Sequence, residues 1–291
     1  MRFDLTGKVM EIYSVANGNM KLDGGAMFGI IPKVLWTRQY DADENNMVNI
    51  SMRSLLVVDG ERKILFDNGI GDKQDEKFFG YYYLNGSDTL TESLAELGYG
   101  LDDITDMVLT HLHFDHCGGS IKYNDDRSEL LTVFPNARYW VSKPQWELAM
   151  HPNPLEGASL LKENILPIKE SGQLELFGGV YNLTPNVQFR LFNGHTMGQN
   201  IALIRFGDQT IVNVADLMPM VGYINMSWIC GYDIQPLVSL AEKEDFLKES
   251  LEHNYIYYFY HDLENQCCTL KQTEKGIRPD RSFPLKSLDQ L

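Results

Sequence analysis

The sequence is poor in cysteine and in basic side chains and has no long apolar run, and each shortage argues against a class of protein. Its four cysteines include no CxxC spacing, which argues against a dense disulfide framework and favours reduced thiols. No apolar stretch approaches the length that spans a membrane. Residues 1–14 lack the apolar core of a signal peptide, so we expect a cytoplasmic protein.

Acidic side chains outnumber basic ones by 40 to 25, which gives a formal net charge of −15. Such an exterior repels phosphate backbones and anionic membrane surfaces, so neither nucleic acid nor a membrane is an expected partner. The longest basic cluster is the thin scatter of Lys271, Lys275, Arg278 and Arg281, which we interpret as a solvated tail.

The order of predicted strands and helices indicates an α/β (α+β) fold. Strands are predicted at 8–15, 50–58, 63–66, 106–110, 137–141, 187–192, 201–206, 210–214 and 255–260. Helices are predicted at 144–150, at 239–253, and between a cap at Ser87 or Asp88 and a stop at Gly98. Strands in both halves, with helices in each, fit two sheets packed face to face with helices outside. No linker divides the chain, so we predict one domain over residues 1–291.

Two apolar stretches are poorly periodic. Residues 22–36 predict either an ordered loop near a pocket or a buried connector. Residues 218–235 contain five large side chains that fit either a substrate channel or ordinary core: Met218, Met220, Met226, Trp228 and Tyr232. Both stretches are consistent with a pocket wall, a lid or a subunit interface.

Three of the seven histidines fall within six positions after the predicted strand 106–110. His111 and His113 alternate in extended geometry and can face the same side, and Asp115 and His116 follow the turn. Imidazole nitrogen and carboxylate oxygen suit zinc and neighbouring divalent metals. One catalytic zinc usually takes three protein ligands and leaves a position for water, so four such side chains favour two metals.

Three more candidate ligands end other predicted strands: His195, Asp216 and His261. A lone histidine at the end of a strand is more often hydrogen-bonded or exposed than bound to metal. The full set reverses this expectation, because its members recur at strand ends and are of the types that divalent metals bind. His151 and His253 are expected at the surface or in a helix cap.

Residues 110–119, THLHFDHCGG, resemble the HxHxDH motif of the metallo-β-lactamase superfamily, and Gly194-His195, Asp216 and His261 follow in the family's order. The resemblance implies a four-layer αβ/βα sandwich of two mixed sheets. It implies that one metal is held by His111, His113 and His195. It also implies that Asp115, His116 and His261 hold the other, with Asp216 as a bridge.

The expected cofactors are therefore two divalent metal ions. A histidine at position 113 favours zinc, because the diiron relatives usually carry a carboxylate there, and Mn²⁺, Fe²⁺ and Co²⁺ are the alternatives. Two close cations lower the pKa of a shared water, so the resemblance implies hydrolysis by a metal-bridging hydroxide. Asp115 and Asp216 are the expected catalytic residues, with Asp115 handling a proton at the leaving group.

Residues 22–36, 215–219 and 231–236 are similar to N-acyl homoserine lactonase-like members, particularly the YtnP-like branch. This looser likeness implies a quorum-quenching lactonase acting on a small molecule. Met27, Phe28 and Trp36 would contact an acyl chain, and Tyr223 would assist the oxyanion. The alternatives are a phosphotriesterase or phosphodiesterase, a thioester hydrolase, and a non-catalytic metal-binding sensor. A homodimer is expected by analogy with the family.

Overall fold

A computed structural model describes residues 2–3 and 9–290 of the chain. Over these residues it contains two seven-stranded mixed sheets and one separate two-stranded hairpin. The first sheet, in spatial order, consists of β1 (Arg2–Phe3), β2 (Val9–Asp23), β3 (Met47–Asp59), β4 (Arg62–Phe66), β5 (Asp106–Val108), β8 (Arg138–Ser142) and β9 (Leu174–Phe177). The second consists of β10 (Tyr181–Asn182), β11 (Val187–Phe192), β12 (Gln199–Phe206), β13 (Gln209–Asn213), β14 (Ile256–Tyr258), β15 (Cys267–Thr273) and β16 (Gly276–Phe283). The hairpin pairs β6 (Ile121–Tyr123) with β7 (Leu130–Thr132).

The helices of the described part are short, apart from the last. They are α1 (Gly24–Phe28), α2 (Lys33–Trp36), α3 (Glu76–Gly80), α4 (Leu90–Glu96), α5 (Phe114–Cys117), α6 (Lys143–Met150), α7 (Lys162–Glu170) and α8 (Pro236–Glu252). Single 3₁₀ turns lie at Leu101–Asp103, Gly118–Ser120, Ala215–Leu217, Val221–Ile224 and Leu285–Gln290. None of these helices is both long and apolar enough to cross a membrane.

The alternation of side chains along the strands produces four layers. Leu55 and Val57 of β3 pack against Ala202 and Ile204 of β12, which forms the core between the sheets. Leu56, which points the opposite way, packs in the core beneath α4, α6 and α7. Helix α8 covers the outer face of the second sheet. The predicted αβ/βα sandwich is confirmed.

Most predicted strands are confirmed to within a few residues, and 187–192 matches β11 at both ends. The first predicted strand begins at Lys8, which lies outside the described residues. The predicted helix cap was wrong: Thr89 caps α4 by accepting from the Glu92 backbone N–H at 3.2 Å, and it also donates to the Glu92 carboxylate. Helix α7 was missed because it contains Pro167, ordinarily a helix breaker.

The prediction of a solvated basic tail was wrong. Residues 267–283 form the antiparallel hairpin β15–β16, in which Lys271 lies opposite Arg278 and pairs with Asp280 at 3.1 Å. Lys271, Arg278 and Arg281 lie on the strands of this polar edge hairpin and Lys275 lies in its turn, so the basic residues obscured the strand pattern in the sequence. The apolar stretch 22–36 is also more regular than predicted, because it ends β2 and contains α1 and α2. A single domain over residues 1–291 stays a prediction.

Arg53 of β3 ties the first sheet to the chain that follows β14. Its guanidinium donates to the carbonyl oxygens of Phe259 at 3.1 Å, Asp262 at 2.6 Å and Leu263 at 3.1 Å. The hydroxyl of Ser51 donates to the carbonyl oxygen of Tyr260 at 2.7 Å. Residues 259–263 are thus fixed against the first sheet by side chains from one strand.

We expect Arg53→Met to lower the free energy of unfolding by about 3 kcal/mol, because three carbonyls lose the guanidinium and, among the described residues, only that of Asp262 keeps a second donor, the Ser51 hydroxyl. Chemical denaturation monitored by circular dichroism measures this. Arg205→Met is the matched control, since Arg205 is exposed, and it should change stability by less than about 0.5 kcal/mol. Equal effects of the two substitutions would contradict the role given to Arg53.

Candidate metal centre

The seven candidate ligands meet where strands of both sheets end. β5 leads into His111, His113 and α5, while β13 and β14 lead into Asp216 and His261. A backbone hydrogen bond from Asn200 N–H to the carbonyl of Thr110, at 2.7 Å, joins the two sheets beside this edge. Every candidate ligand is at most 9% exposed.

The ligands form two histidine groups that share one carboxylate. His111, His113 and His195 place one ligand atom each within 4.8 Å of one another, as do Asp115, His116 and His261. Asp216 lies between the groups: Oδ1 is 3.4 Å from His116 Nε2, and Oδ2 is 3.4 Å from His195 Nε2. The structure therefore brings all seven residues together in the arrangement that the resemblance implied.

Four of the five histidines also have a hydrogen-bonded outer partner that orients the ring, whereas His113 has only a more distant carboxylate beyond hydrogen-bond reach. The contacts are Thr110 Oγ1 to His111 Nδ1 at 3.1 Å, Glu156 Oε1 to His113 Nε2 at 3.8 Å, Asp67 Oδ2 to His116 Nδ1 at 3.0 Å, Asp233 Oδ1 to His195 Nδ1 at 2.9 Å, and the Ser51 carbonyl to His261 Nδ1 at 3.0 Å. An acceptor at one ring nitrogen keeps a proton there and leaves the other nitrogen as a lone pair.

The inward nitrogens fit divalent cations. His111 Nε2 is buried and has no hydrogen-bond partner in the described part of the chain. The Nε2 atoms of His116 and His261 face each other at 3.1 Å, and His195 Nε2 faces His113 Nδ1 at 3.2 Å. Lone pairs at these distances require a proton or a metal cation between them. Imidazole and carboxylate are the donors that zinc and its neighbours bind.

The electrostatics of the centre favour cations. Burial lowers the pKa of His111 well below its ordinary value, so this imidazole is neutral. Burial also opposes the charged form of His116, but the carboxylates of Asp216 and Asp115 outweigh it and raise its pKa well above the ordinary value. Burial would raise the pKa of Asp216, yet His116 and His261 hold it well below the usual range. A proton and a metal therefore compete for the same buried nitrogens.

Two residues beside the centre have backbone conformations that favour glycine. Asp67 has a φ of 56° and Ala215, next to Asp216, has a φ of 40°. The side chain of Asp67 accepts from Thr110 N–H and from Thr110 Oγ1, both at 2.8 Å, besides its contact with His116. This network holds Asp67 in a conformation that an isolated residue rarely adopts.

A cavity of about 300 Å³ opens above the ligands. His113, Asp115, His195, Asp216 and His261 reach its surface, whereas His111 and His116 lie behind them. Its wall combines apolar side chains with polar ones: Met20, Leu22, Met27, Phe114, Leu155, Ile234, Tyr82, Glu156, Ser159, Cys230, Tyr232 and Asp233. A substrate here would contact the candidate ligands on one side and an apolar surface on the other.

Of the predicted substrate residues, the structure brings only Met27 to this cavity. Phe28 is buried behind it, 4.6 Å between ring centroids from Trp36 and 5.9 Å from Tyr223. The Tyr223 hydroxyl donates to the Met27 carbonyl at 2.5 Å and is not in the cavity wall. Phe28, Trp36 and Tyr223 lie in the core behind the wall, so the structure does not bring them to the cavity surface.

Sequence reasoning missed Asp67, Glu156 and Asp233. Asp67 directly follows β4, and this position at a strand end is a signal that it shares with the ligands. Asp233 lies within residues 231–236, the stretch that is similar to the lactonase-like members. Glu156 lies in an irregular segment that gave no signal. Of the five large side chains in 218–235, Met218, Met220 and Trp228 are buried in the core, whereas Tyr232 is in the cavity wall.

We expect the folded chain to be stabilised by divalent metal. A ligand at 100 times its Kd stabilises the native state by about 2.7 kcal/mol, so Zn²⁺ should raise the melting temperature and a chelator should lower it. His111→Ala should remove much of this response. His253→Ala, at an exposed position, should keep it in full. Differential scanning fluorimetry measures both, and a response to metal that is equal in the two variants would contradict the site.

Residues 53–228 of the chain match the metallo-beta-lactamase superfamily. This is more than half of the sequence, and it contains six of the seven candidate ligands. The chain belongs to the metallo-β-lactamase superfamily and is a hydrolase of that superfamily.

Its relatives include bacterial lactonases. It is 24% identical to an N-acyl homoserine lactonase of Bacillus sp over 272 residues, covering 89% of this chain and 95% of the relative. It is also 24% identical to N-acyl homoserine lactonase AiiA of Bacillus thuringiensis subsp. kurstaki over 241 residues, covering 76% and 84%.

Solved structures share the whole fold. A probable metal-dependent hydrolase from Staphylococcus aureus is 28% identical, with a TM-score of 0.87 and coverage of 96% of this chain and 98% of the other. The dizinc quorum-quenching lactonase AidC, solved with a product, N-hexanoyl-L-homoserine, is 22% identical, with a TM-score of 0.76 and coverage of 94% and 95%.

Proposed function

We propose that this hydrolase is a dizinc lactonase that opens N-acyl homoserine lactones or similar lactone rings. One observation carries the proposal: two buried histidine groups share Asp216 beneath a cavity that has a partly apolar wall. The curated relatives at 24% identity, which are N-acyl homoserine lactonases, support the same substrate class.

His111, His113 and His195 would hold one metal, and Asp115, His116 and His261 the other, with Asp216 between them. When bound, two such ions lower the pKa of a water between them and polarise the substrate carbonyl. Zinc is proposed because five of the seven ligands are imidazoles, with Mn²⁺, Fe²⁺ and Co²⁺ as the alternatives.

We propose that Asp115 handles the proton of ring opening. Its Oδ2 is 3.4 Å from His261 Nε2, and the residue reaches the cavity surface. Water adds hydroxide to the acyl carbon, the ring C–O bond breaks, and the departing oxygen must gain a proton. The Asp115 carboxyl can take the proton of the water and deliver it to that oxygen.

The acyl chain would lie along the apolar part of the wall. Met20, Leu22 and Met27 come from β2 and α1, and Leu155 and Ile234 come from later segments. Leu155 is 78% exposed, so a chain that covers it removes apolar surface from water. Homoserine lactones with longer acyl chains should therefore have a lower KM than those with short ones.

The proposal is tested by assaying acyl homoserine lactones, a thioester, a β-lactam and a phosphate triester at equal enzyme concentration. Elemental analysis of the same preparation should give about two metals per chain, and the lactones should have the highest kcat/KM. A phosphate triester or thioester turned over faster than every lactone would move the function to that class. Two bound metals without any turnover would favour a metal-binding sensor.

Tyr232, rather than the predicted Tyr223, is the candidate for assisting the oxyanion. Tyr232 and Tyr82 both reach the cavity, and neither hydroxyl has a hydrogen-bond partner within residues 2–3 and 9–290. The charge of Asp115 contributes to raising the pKa of both, after burial, so both phenols stay protonated and can donate to a developing oxyanion.

We expect Tyr232→Phe to lower kcat about 10- to 100-fold at unchanged metal content, because a positioned donor is lost in the transition state. Steady-state kinetics on metal-loaded enzyme measure this. Tyr223→Phe is the comparison: it should lower the melting temperature and leave kcat close to wild type, since its hydroxyl donates to the Met27 carbonyl. The reverse pattern would assign the oxyanion role to Tyr223.

A further inference from the structure

Helix α8 contacts two segments near the centre. One is residues 193–195, which contain His195, and the other is residues 223–233, which end at Asp233. The buried positions of α8 include Ser239, Lys243 and Phe246, spaced three and four residues apart, so one face of the helix is turned inwards. Ser239 lies so close to Gly194 that a Cβ on Gly194 would come within 2.4 Å of the Ser239 backbone. Only glycine fits there, which brings the start of α8 against the residue that precedes His195.

Glu242 holds the backbone that leads into His195. Its Oε1 accepts from Asn193 N–H at 2.8 Å, and its Oε2 accepts from Gly194 N–H at 3.0 Å. The two carboxylate oxygens therefore satisfy two successive backbone donors. Hydrogen bonds to an ionised carboxylate are about twice as strong as those between neutral groups, so they fix this turn firmly.

Lys243, the next residue, holds residues 223–228 by donating to their carbonyls, whereas Glu242 accepts from N–H groups. Its ammonium is buried and donates to the carbonyl oxygens of Tyr223 at 3.2 Å, Asn225 at 3.1 Å and Trp228 at 2.6 Å. All three of its donors are used. No carboxylate in the described part of the chain forms an ion pair with it, so the three backbone carbonyls and the more distant charge of Asp233 offset the burial of the ammonium.

The two segments are joined to each other just before α8. Ile234 N–H donates to the His195 carbonyl at 3.1 Å, and Gln235 N–H donates to the Gly194 carbonyl at 2.9 Å. Asp233, one residue earlier, accepts from His195 Nδ1 at 2.9 Å. The carbonyls of Gly194 and His195 are thus fixed by residues 234–235, and the N–H groups of Asn193 and Gly194 are fixed by Glu242.

We infer that Glu242 and Lys243 are positioning residues that orient His195 from α8. Glu242 acts through the backbone of residues 193–194, and Lys243 acts through residues 223–228, which lead into the cavity wall at 230–234 and into Asp233. The inference rests on His195 being a metal ligand, as proposed above. Because the two residues act on different segments, their effects separate: Glu242 sets metal affinity, and Lys243 sets metal affinity and substrate binding together.

Glu242→Gln gives the sharper test, because the amide has the size of the carboxylate but turns an N–H donor towards a backbone N–H. The apparent affinity for Zn²⁺, measured by competition with a chromogenic chelator, should fall about 10-fold, the lower end of what lost support of a ligand costs. The KM for a hexanoyl homoserine lactone, measured on fully metal-loaded enzyme, should stay within about twofold of wild type. Lys243→Met should lower the affinity and also raise this KM at least about fivefold, since it frees the loop that forms the wall.

Glu244→Gln and Lys248→Met are matched controls on the same helix. These residues form an exposed ion pair at 2.8 Å and contact neither segment, so each substitution should leave affinity and KM unchanged. The double variant Glu242→Gln with Asp233→Asn should lose less affinity than the product of the single losses, because both act through His195. Should Lys243→Met fail to fold, Lys243→Gln replaces it, because the amide keeps an N–H donor for the carbonyls of residues 223–228. A KM and a Zn²⁺ affinity unchanged from wild type would then overturn the role of Lys243.

His195→Ala separates failure of the inference from failure of the proposed function. If His195→Ala loses Zn²⁺ while Glu242→Gln binds it as wild type does, the positioning role is wrong and the metal site stands. Strictly multiplicative losses in the double variant would also overturn it. If His195→Ala still binds two metals at wild-type affinity, the ligand set proposed above is wrong, and the inference falls with it.

Discussion

The structure of the centre depends on the buried carboxylate of Asp216. Burial makes an isolated negative charge costly, and here it is offset by imidazoles of both histidine groups, at 3.4 to 3.5 Å. Those imidazoles are carried by the first sheet, by the second sheet and by the chain after β14. The centre therefore forms only when the two sheets have packed, which couples metal binding to the assembly of the whole sandwich.

The surrounding residues explain how strand ends become a rigid site. Four of the five histidines have a hydrogen-bonded outer partner, and the backbone beside the ligands is held by Arg53 and by helix α8. These supports come from segments far apart in sequence. A site whose ligands are oriented before metal or substrate arrives loses little freedom on binding, and this preorganisation is what a hydrolytic centre requires.

The ligands could be predicted from the sequence because they recur at the ends of predicted strands. They are also histidines and aspartates, which are seldom buried together without a metal or a catalytic role. The two-sheet sandwich followed from strand alternation and from the family resemblance. Among the outer partners, Asp67 had a signal in its position directly after β4. The pairing of Asp233 with His195 had none, because it depends on a loop held by Lys243. The environment of Tyr223 was not predictable either, because only the packing shows that its hydroxyl donates to the Met27 carbonyl. The hairpin β15–β16 was not predicted because its edge strands are polar and lack the apolar alternation that indicates a strand.

The positive φ angles of Asp67 and Ala215 have a consequence for how this fold tolerates change. Each costs about 1–3 kcal/mol and persists because surrounding contacts fix the backbone more strongly than the strain opposes it. The backbone strain at the centre is thus offset by the packing of the sandwich, and it lowers the net stability that the other positions provide. Destabilising substitutions elsewhere in the core would therefore disturb the geometry of the ligands before they unfold the chain. The precision of the centre, rather than folding alone, sets the stability that the scaffold must keep.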